Sequence, residues 1–61
     1  MSVYFNYRYI TENGIENIRQ KSKVYGERTI KLRGINRNQY KVYNVNRKAM
    51  EWVASESCEI I

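Results

Sequence analysis

The chain has no histidine, no aspartate and no proline, one cysteine, and three isolated glycines. Each absence removes a class of function. Without histidine or aspartate, the commonest general bases and most metal-ligand sets are gone. The six glutamates include no pair that local spacing sets on either side of a reacting bond. Cys58 cannot close an intramolecular disulfide, and the neighbouring Glu56 and Glu59 disfavour its thiolate. Glycines at 14, 26 and 34 are too far apart to cradle a phosphate. The sequence therefore predicts a protein that is not an enzyme and that uses no metal and no cofactor. No apolar run approaches the ~18 residues of a membrane span, and no signal peptide precedes the first strand. A lone cysteine fits a reducing compartment. A cytoplasmic protein with no membrane partner is expected.

With 61 residues the chain forms a single domain, 1–61, whose core supplies on the order of 3–5 kcal/mol. Neither a disulfide nor zinc is there to staple it, so a second copy is the remaining device and a homodimer is expected. Asparagine, isoleucine, lysine and tyrosine number 7, 7, 5 and 6, the bias that A/T-rich codons produce. That composition is compatible with a virus or mobile element.

The formal charge of +5 is unevenly spread, with +1 in residues 1–11, +1 in 12–26, +6 in 27–48 and −3 in 49–61. A basic body with an acidic end points to an anionic partner, either nucleic acid or an acidic protein surface.

The organising stretch runs from Val3 to Leu32 about Asn13-Gly14, a hairpin signal between two alternating runs. A type I′ turn there pairs Tyr9 with Ile18, Tyr7 with Gln20, Phe5 with Ser22 and Val3 with Val24. One face is then apolar to neutral, and the other carries Tyr4, Asn6 and Arg8 against Asn17, Arg19, Lys21 and Lys23. Residues 15–25 also show helical spacing (Ile15, Ile18, Ser22, Tyr25), but the outward alternation of Asn17, Arg19, Lys21 and Lys23 favours a strand.

Tyr25-Gly26-Glu27 reads as a short turn into a third strand over 28–33, with Ile30 and Leu32 inward and Thr29, Lys31 and Arg33 outward. Residues 34–39 read as a polar loop, and Tyr40–Val45 as a fourth strand with either Tyr40 and Val42 or Tyr43 and Val45 inward. Asn46 is a credible N-cap for a helix from Arg47, with Ala49, Trp52, Val53 and Glu56 on one stripe. The predicted fold is α+β: a small four-stranded antiparallel meander with one C-terminal helix packed on its apolar face. Its expected core is Val3, Phe5, Tyr7, Ile18, Val24, Ile30, Leu32, Ala49, Trp52 and Val53.

On that fold a single sheet face gathers Arg8, Arg19, Lys21, Lys23, Lys31 and Arg33, with Tyr4 and Asn6 among them and no carboxylate in the middle. Cations beside aromatic rings suit nucleic acid, single-stranded above all, held mainly through phosphates. Tyr4 or Tyr43 would stack on bases. The other reading is a small protein-binding inhibitor or adaptor acting as a homodimer through an exposed strand edge and a Tyr/Arg-rich surface.

Overall fold

A computed structural model describes residues 1–61. Six strands form two three-stranded antiparallel sheets, and there is no α-helix. The first sheet has the order β2-β1-β6, from β1 (Ser2–Thr11), β2 (Gly14–Lys23) and β6 (Glu59–Ile60). The second has the order β3-β4-β5, from β3 (Gly26–Leu32), β4 (Ile35–Asn44) and β5 (Ala49–Ala54). A 3-10 turn at Ser55–Ser57 leads from β5 to β6. The four-stranded meander with a C-terminal helix is thereby overturned.

The β1–β2 hairpin forms with its two faces as the alternation predicts, but in a different register. Tyr9 lies opposite Glu16, Tyr7 opposite Ile18, Phe5 opposite Gln20 and Val3 opposite Ser22. Glu12 and Asn13 make the turn at negative φ, and Gly14 follows at φ 111°. This is a turn closed by a glycine in the left-handed region, the G1-bulge device, rather than type I′. The Thr11 hydroxyl accepts from the Asn13 N–H and donates to the Gly14 carbonyl, both at 3.2 Å. The register moves by two residues, and because strand faces repeat every two, both faces survive the shift.

β2 and β3 do not pair. The Val24 N–H donates to the Met1 carbonyl beside β1, and the next N–H, of Tyr25, donates to the Lys41 carbonyl of β4. The chain thus changes sheets within two residues, and a sheet corner replaces the expected turn at Tyr25–Glu27. The sharp hairpin comes later, at Arg33 (φ 51°) and Gly34 (φ 79°). Two positive φ values in a two-residue loop identify a type I′ turn. Leu32 then lies opposite Ile35, and residues 35–39 extend β4 instead of forming a loop.

The expected helix is β5. Its residues alternate, with Glu51 and Val53 facing the first sheet and Met50 and Trp52 facing away. Asn44, not Asn46, organises the preceding turn. Its Oδ1 accepts from the N–H groups of Asn46 (3.0 Å) and Arg47 (3.2 Å). Arg47 and Lys48 at a helix N-terminus would oppose the macrodipole, whereas a strand carries no such penalty.

The sheets meet over a small core. Val3, Phe5 and Val42 are buried, with Tyr7, Val24, Tyr40, Val53 and Cys58 packed around them. Of the other expected core residues, Leu32 and Ala49 are exposed, while Ile18, Ile30 and Trp52 are half-buried. Beside this core runs a polar seam from β2 to β4. Ser22 Oγ accepts from the Tyr43 N–H at 2.9 Å, Gln20 Oε1 accepts from the Val45 N–H at 3.1 Å, and Gln20 Nε2 donates to Asn44 Oδ1 at 3.1 Å. Asn44 completes itself by donating to Glu51 Oε2 at 3.1 Å. Gln20, Ser22 and Asn44 are all buried, and none of their side-chain polar atoms lacks a partner. The accessible surface of 4814 Å² exceeds the ~4,200 Å² usual for this mass. The excess reflects hairpin tips that run past the core, with exposed pairs Ile10–Ile15 and Leu32–Ile35.

Candidate nucleic-acid interface

The alternation of β1 and β2 places Tyr4, Asn6 and Arg8 beside Arg19, Lys21 and Lys23 on the outer face of the first sheet. Six of the eight expected site residues therefore share a face. Lys31 and Arg33 do not join them. Lys31 belongs to β3 in the second sheet, and Arg33 is the first residue of its type I′ turn. Tyr43 also lies elsewhere, on the outer face of the second sheet. The separation follows from the corner at Val24–Tyr25.

The face is also not free of carboxylate. β6 brings Glu59 opposite Tyr4, where it pairs with Arg19. The Arg19 guanidinium lies over the Tyr4 ring, 4.5 Å from its centroid. The ring and one cation thus cover each other, and Glu59 neutralises the pair. Arg8, Lys21 and Lys23 are exposed and take no part in an ion pair.

The acidic C-terminal segment shows the same logic throughout. Glu51 pairs with Arg47 (2.9 Å), Glu56 with Arg37 (3.2 Å) and Glu59 with Arg19. Each of its three carboxylates is matched to one arginine. Exposed pairs of this kind contribute about 0–1 kcal/mol each, so their larger effect is on which cations remain available. Hydrogen bonding to Glu51 raises the Arg47 pKa further above its ordinary value, with Tyr7 and Glu51 adding through charge. The Tyr9 hydroxyl donates to Glu16 Oε2 at 3.0 Å, and that bond raises its pKa.

A second cationic group forms around Trp52 on the outer face of the second sheet. Arg28 lies over the indole at 4.2 Å and the Lys41 ammonium at 5.8 Å. Gly26 lies beside the cluster, where a Cβ would stand in ordinary contact with Trp52 Cη2 at 3.6 Å. The same guanidinium is held in place by its Nε, which donates to Gln39 Oε1 at 2.7 Å. The sequence reading puts Trp52 in the core on a helix stripe, whereas the structure sets it on an outer sheet face. Reading 49–54 as a strand is the signal that would have exposed this cluster.

A shallow polar cleft of about 450 Å³ opens beyond the core, lined by residues including Glu27, Thr29, Asn38, Tyr40 and Ser55. Its walls offer hydrogen-bonding groups, two of them occupied by the Thr29–Asn38 bond of 2.8 Å. No group of three His, Cys, Asp or Glu side chains comes together. Burial raises the pKa of the Cys58 thiol, and its Sγ approaches the Ala54 carbonyl at 3.4 Å. No helix is long and apolar enough to cross a membrane. Comparison with protein-family models, with curated proteins and with solved structures finds no match.

Proposed function

We propose that the protein binds single-stranded nucleic acid through its phosphates, on the outer face of the β1–β2 hairpin. Arg8, Lys21 and Lys23 are the primary phosphate contacts. Asn6 and Asn17 supply hydrogen bonds, and the Arg19–Tyr4 stack is the place for a base to rest once Arg19 turns toward a phosphate. One observation carries this reading: three exposed cations share a sheet face without carboxylate partners, and the one C-terminal glutamate that reaches this face, Glu59, is taken up by Arg19. Same-face neighbours along a strand are about 7 Å apart, which lets Lys21 and Lys23 engage successive phosphates.

The test is fluorescence anisotropy with labelled single- and double-stranded DNA and RNA across a range of salt. Three neutralised phosphates on a single strand give a log–log salt slope of about −2. Lys21→Glu with Lys23→Glu should weaken binding at least roughly tenfold without unfolding the domain, since both side chains are exposed. Lys31→Glu should change it little. Equal binding by the double variant and the wild type refutes the face assignment. A second reading, a protein-binding inhibitor or adaptor, draws on the exposed apolar pairs Ile10–Ile15 and Leu32–Ile35 at the hairpin tips. No binding to any probe at low salt would turn attention to it.

A further inference from the structure

Gly26, Lys41 and Trp52 stand in one cross-strand row on the outer face of the second sheet, and Arg28 and Gln39 stand in the next. The Arg28 guanidinium lies over the indole and its Nε is anchored on Gln39, while its two terminal nitrogens make no hydrogen bond within the chain. On the other side of the Trp52 row come Tyr43 and Met50, both exposed. Tyr43 is the diagonal neighbour of Trp52, a position about 7–8 Å away on the same face. Trp52 is not among the side chains that pack on the core, so core packing does not hold its indole there.

The cations of this cluster have no carboxylate to answer them. Glu27 precedes Arg28 in the chain but points to the opposite face, since side chains alternate along a strand. Glu51 faces the first sheet and pairs with Arg47, and Glu56 pairs with Arg37. Arg28 and Lys41 take part in no ion pair. The first sheet differs in this respect. There Glu59 neutralises the Arg19–Tyr4 stack, whereas nothing neutralises Arg28 on Trp52.

Unanswered cations call for an anion, and neighbouring rings call for one that carries flat π-faces. We propose that this face is a base-stacking site for single-stranded nucleic acid. One base lies on the Trp52 indole, the next reaches Tyr43, and Arg28 and Lys41 hold the phosphates. The site rests on the nucleic-acid reading above and adds a second face to it. Arg28 covers the indole until a base arrives. An exposed cation–π contact is weaker than the stacking of a base on an aromatic ring, so the exchange favours the base. Anchored through Nε, Arg28 turns its terminal nitrogens to a phosphate, an anion that suits the planar fork of a guanidinium. Stacking does not read base edges, so the site should tolerate any sequence.

Trp52 is the only tryptophan, so its fluorescence reports on this face alone. The probe is a single-stranded thymidine oligonucleotide, with inorganic polyphosphate and polyglutamate as polyanions that lack bases. The oligonucleotide should quench the tryptophan emission to saturation, and the two polyanions should not. Trp52→Leu should weaken oligonucleotide binding, read by anisotropy, at least roughly fivefold, the lower end of the loss when one base stack is deleted. Trp52→Phe should keep most of the affinity. Arg28→Ala leaves the indole in place and should make the log–log salt slope less steep by about 0.7, one phosphate contact fewer. Binding without quenching, or a folded Trp52→Leu variant that binds as tightly as the wild type, would overturn the site. Equal quenching by polyphosphate would also overturn it, as would equal quenching by polyglutamate, the mark of an acidic protein partner. If Trp52→Leu does not fold, the Arg28→Ala slope decides, and an unchanged slope counts against the site. The Lys21→Glu, Lys23→Glu variant separates the two faces. Undiminished binding with full quenching in that variant would support this site and refute the first, and no binding of the wild type to any probe would refute both.

Discussion

Removing the Asn44 side chain should cost this protein most of its stability. Asn44 is fully buried and makes four hydrogen bonds. Asn44→Ala deletes the acceptor for Gln20 Nε2 in the buried seam, and a stranded buried amide costs about 1–3 kcal/mol. It also removes the acceptor for the N–H groups of Asn46 and Arg47. Both residues are exposed, so water replaces the bond and only the net value of about 0.5–1.5 kcal/mol each is lost. The expected total is about 2–6 kcal/mol, against a stability on the order of 3–5 kcal/mol for a core of this size. Urea unfolding followed by circular dichroism measures it. With an m-value near 1 kcal/mol/M, the midpoint should fall by at least about 2 M, or the variant should be largely unfolded without denaturant. Asn46→Ala is the control and should shift the midpoint by less than about 0.5 M, because the Asn46 side chain makes no hydrogen bond. A loss below about 1 kcal/mol for Asn44→Ala would refute the view that the seam holds the sheets together. A large loss for Asn46→Ala would restore the discarded helix cap.

Two other perturbations have definite outcomes. Arg33→Asn places Asn-Gly in the type I′ turn, where Arg33 now holds φ 51°. It should stabilise by about 0.5–1 kcal/mol, raising Tm by a few degrees in a melt, and a lower Tm would contradict the turn assignment. The Cys58 pKa is raised by burial, so the neutral thiol is the form the fold favours. Its contribution to stability is complete below the unfolded thiol pKa and is lost as pH rises through the higher folded value. Near pH 8, iodoacetamide should alkylate the folded protein more slowly than the urea-unfolded chain. Equal rates would place the thiol in solvent.

The first hairpin was legible because its information lies in parity. Tyr4, Asn6, Arg8, Arg19, Lys21 and Lys23 keep one face through a two-residue change of register, so an incorrect turn did no harm to the face. The path after Val24 was not legible. A hairpin and a change of sheet begin with the same local residues, and the difference is made by the Lys41 carbonyl, 16 positions beyond Tyr25. Lys31 and Arg33 were lost to the predicted face for that reason. The second half of β4 was legible as a strand from Tyr40, but its first half hid behind Asn36-Arg37-Asn38-Gln39, a run polar on both faces. Ala49–Ala54 is too short for periodicity to separate a strand from a helix, and the Trp52 cluster went unseen with it.

The narrow core also sets the thermal character of the molecule. Unfolding raises the heat capacity through apolar exposure and lowers it through polar exposure, at about 12–15 cal/mol/K per residue on average. Three buried apolar side chains beside three buried polar ones should put this chain below that average. Stability should then form a low, broad dome against temperature, with a shallow melt and a small calorimetric enthalpy. Modest free energy from a bound partner would move such a melt by many degrees.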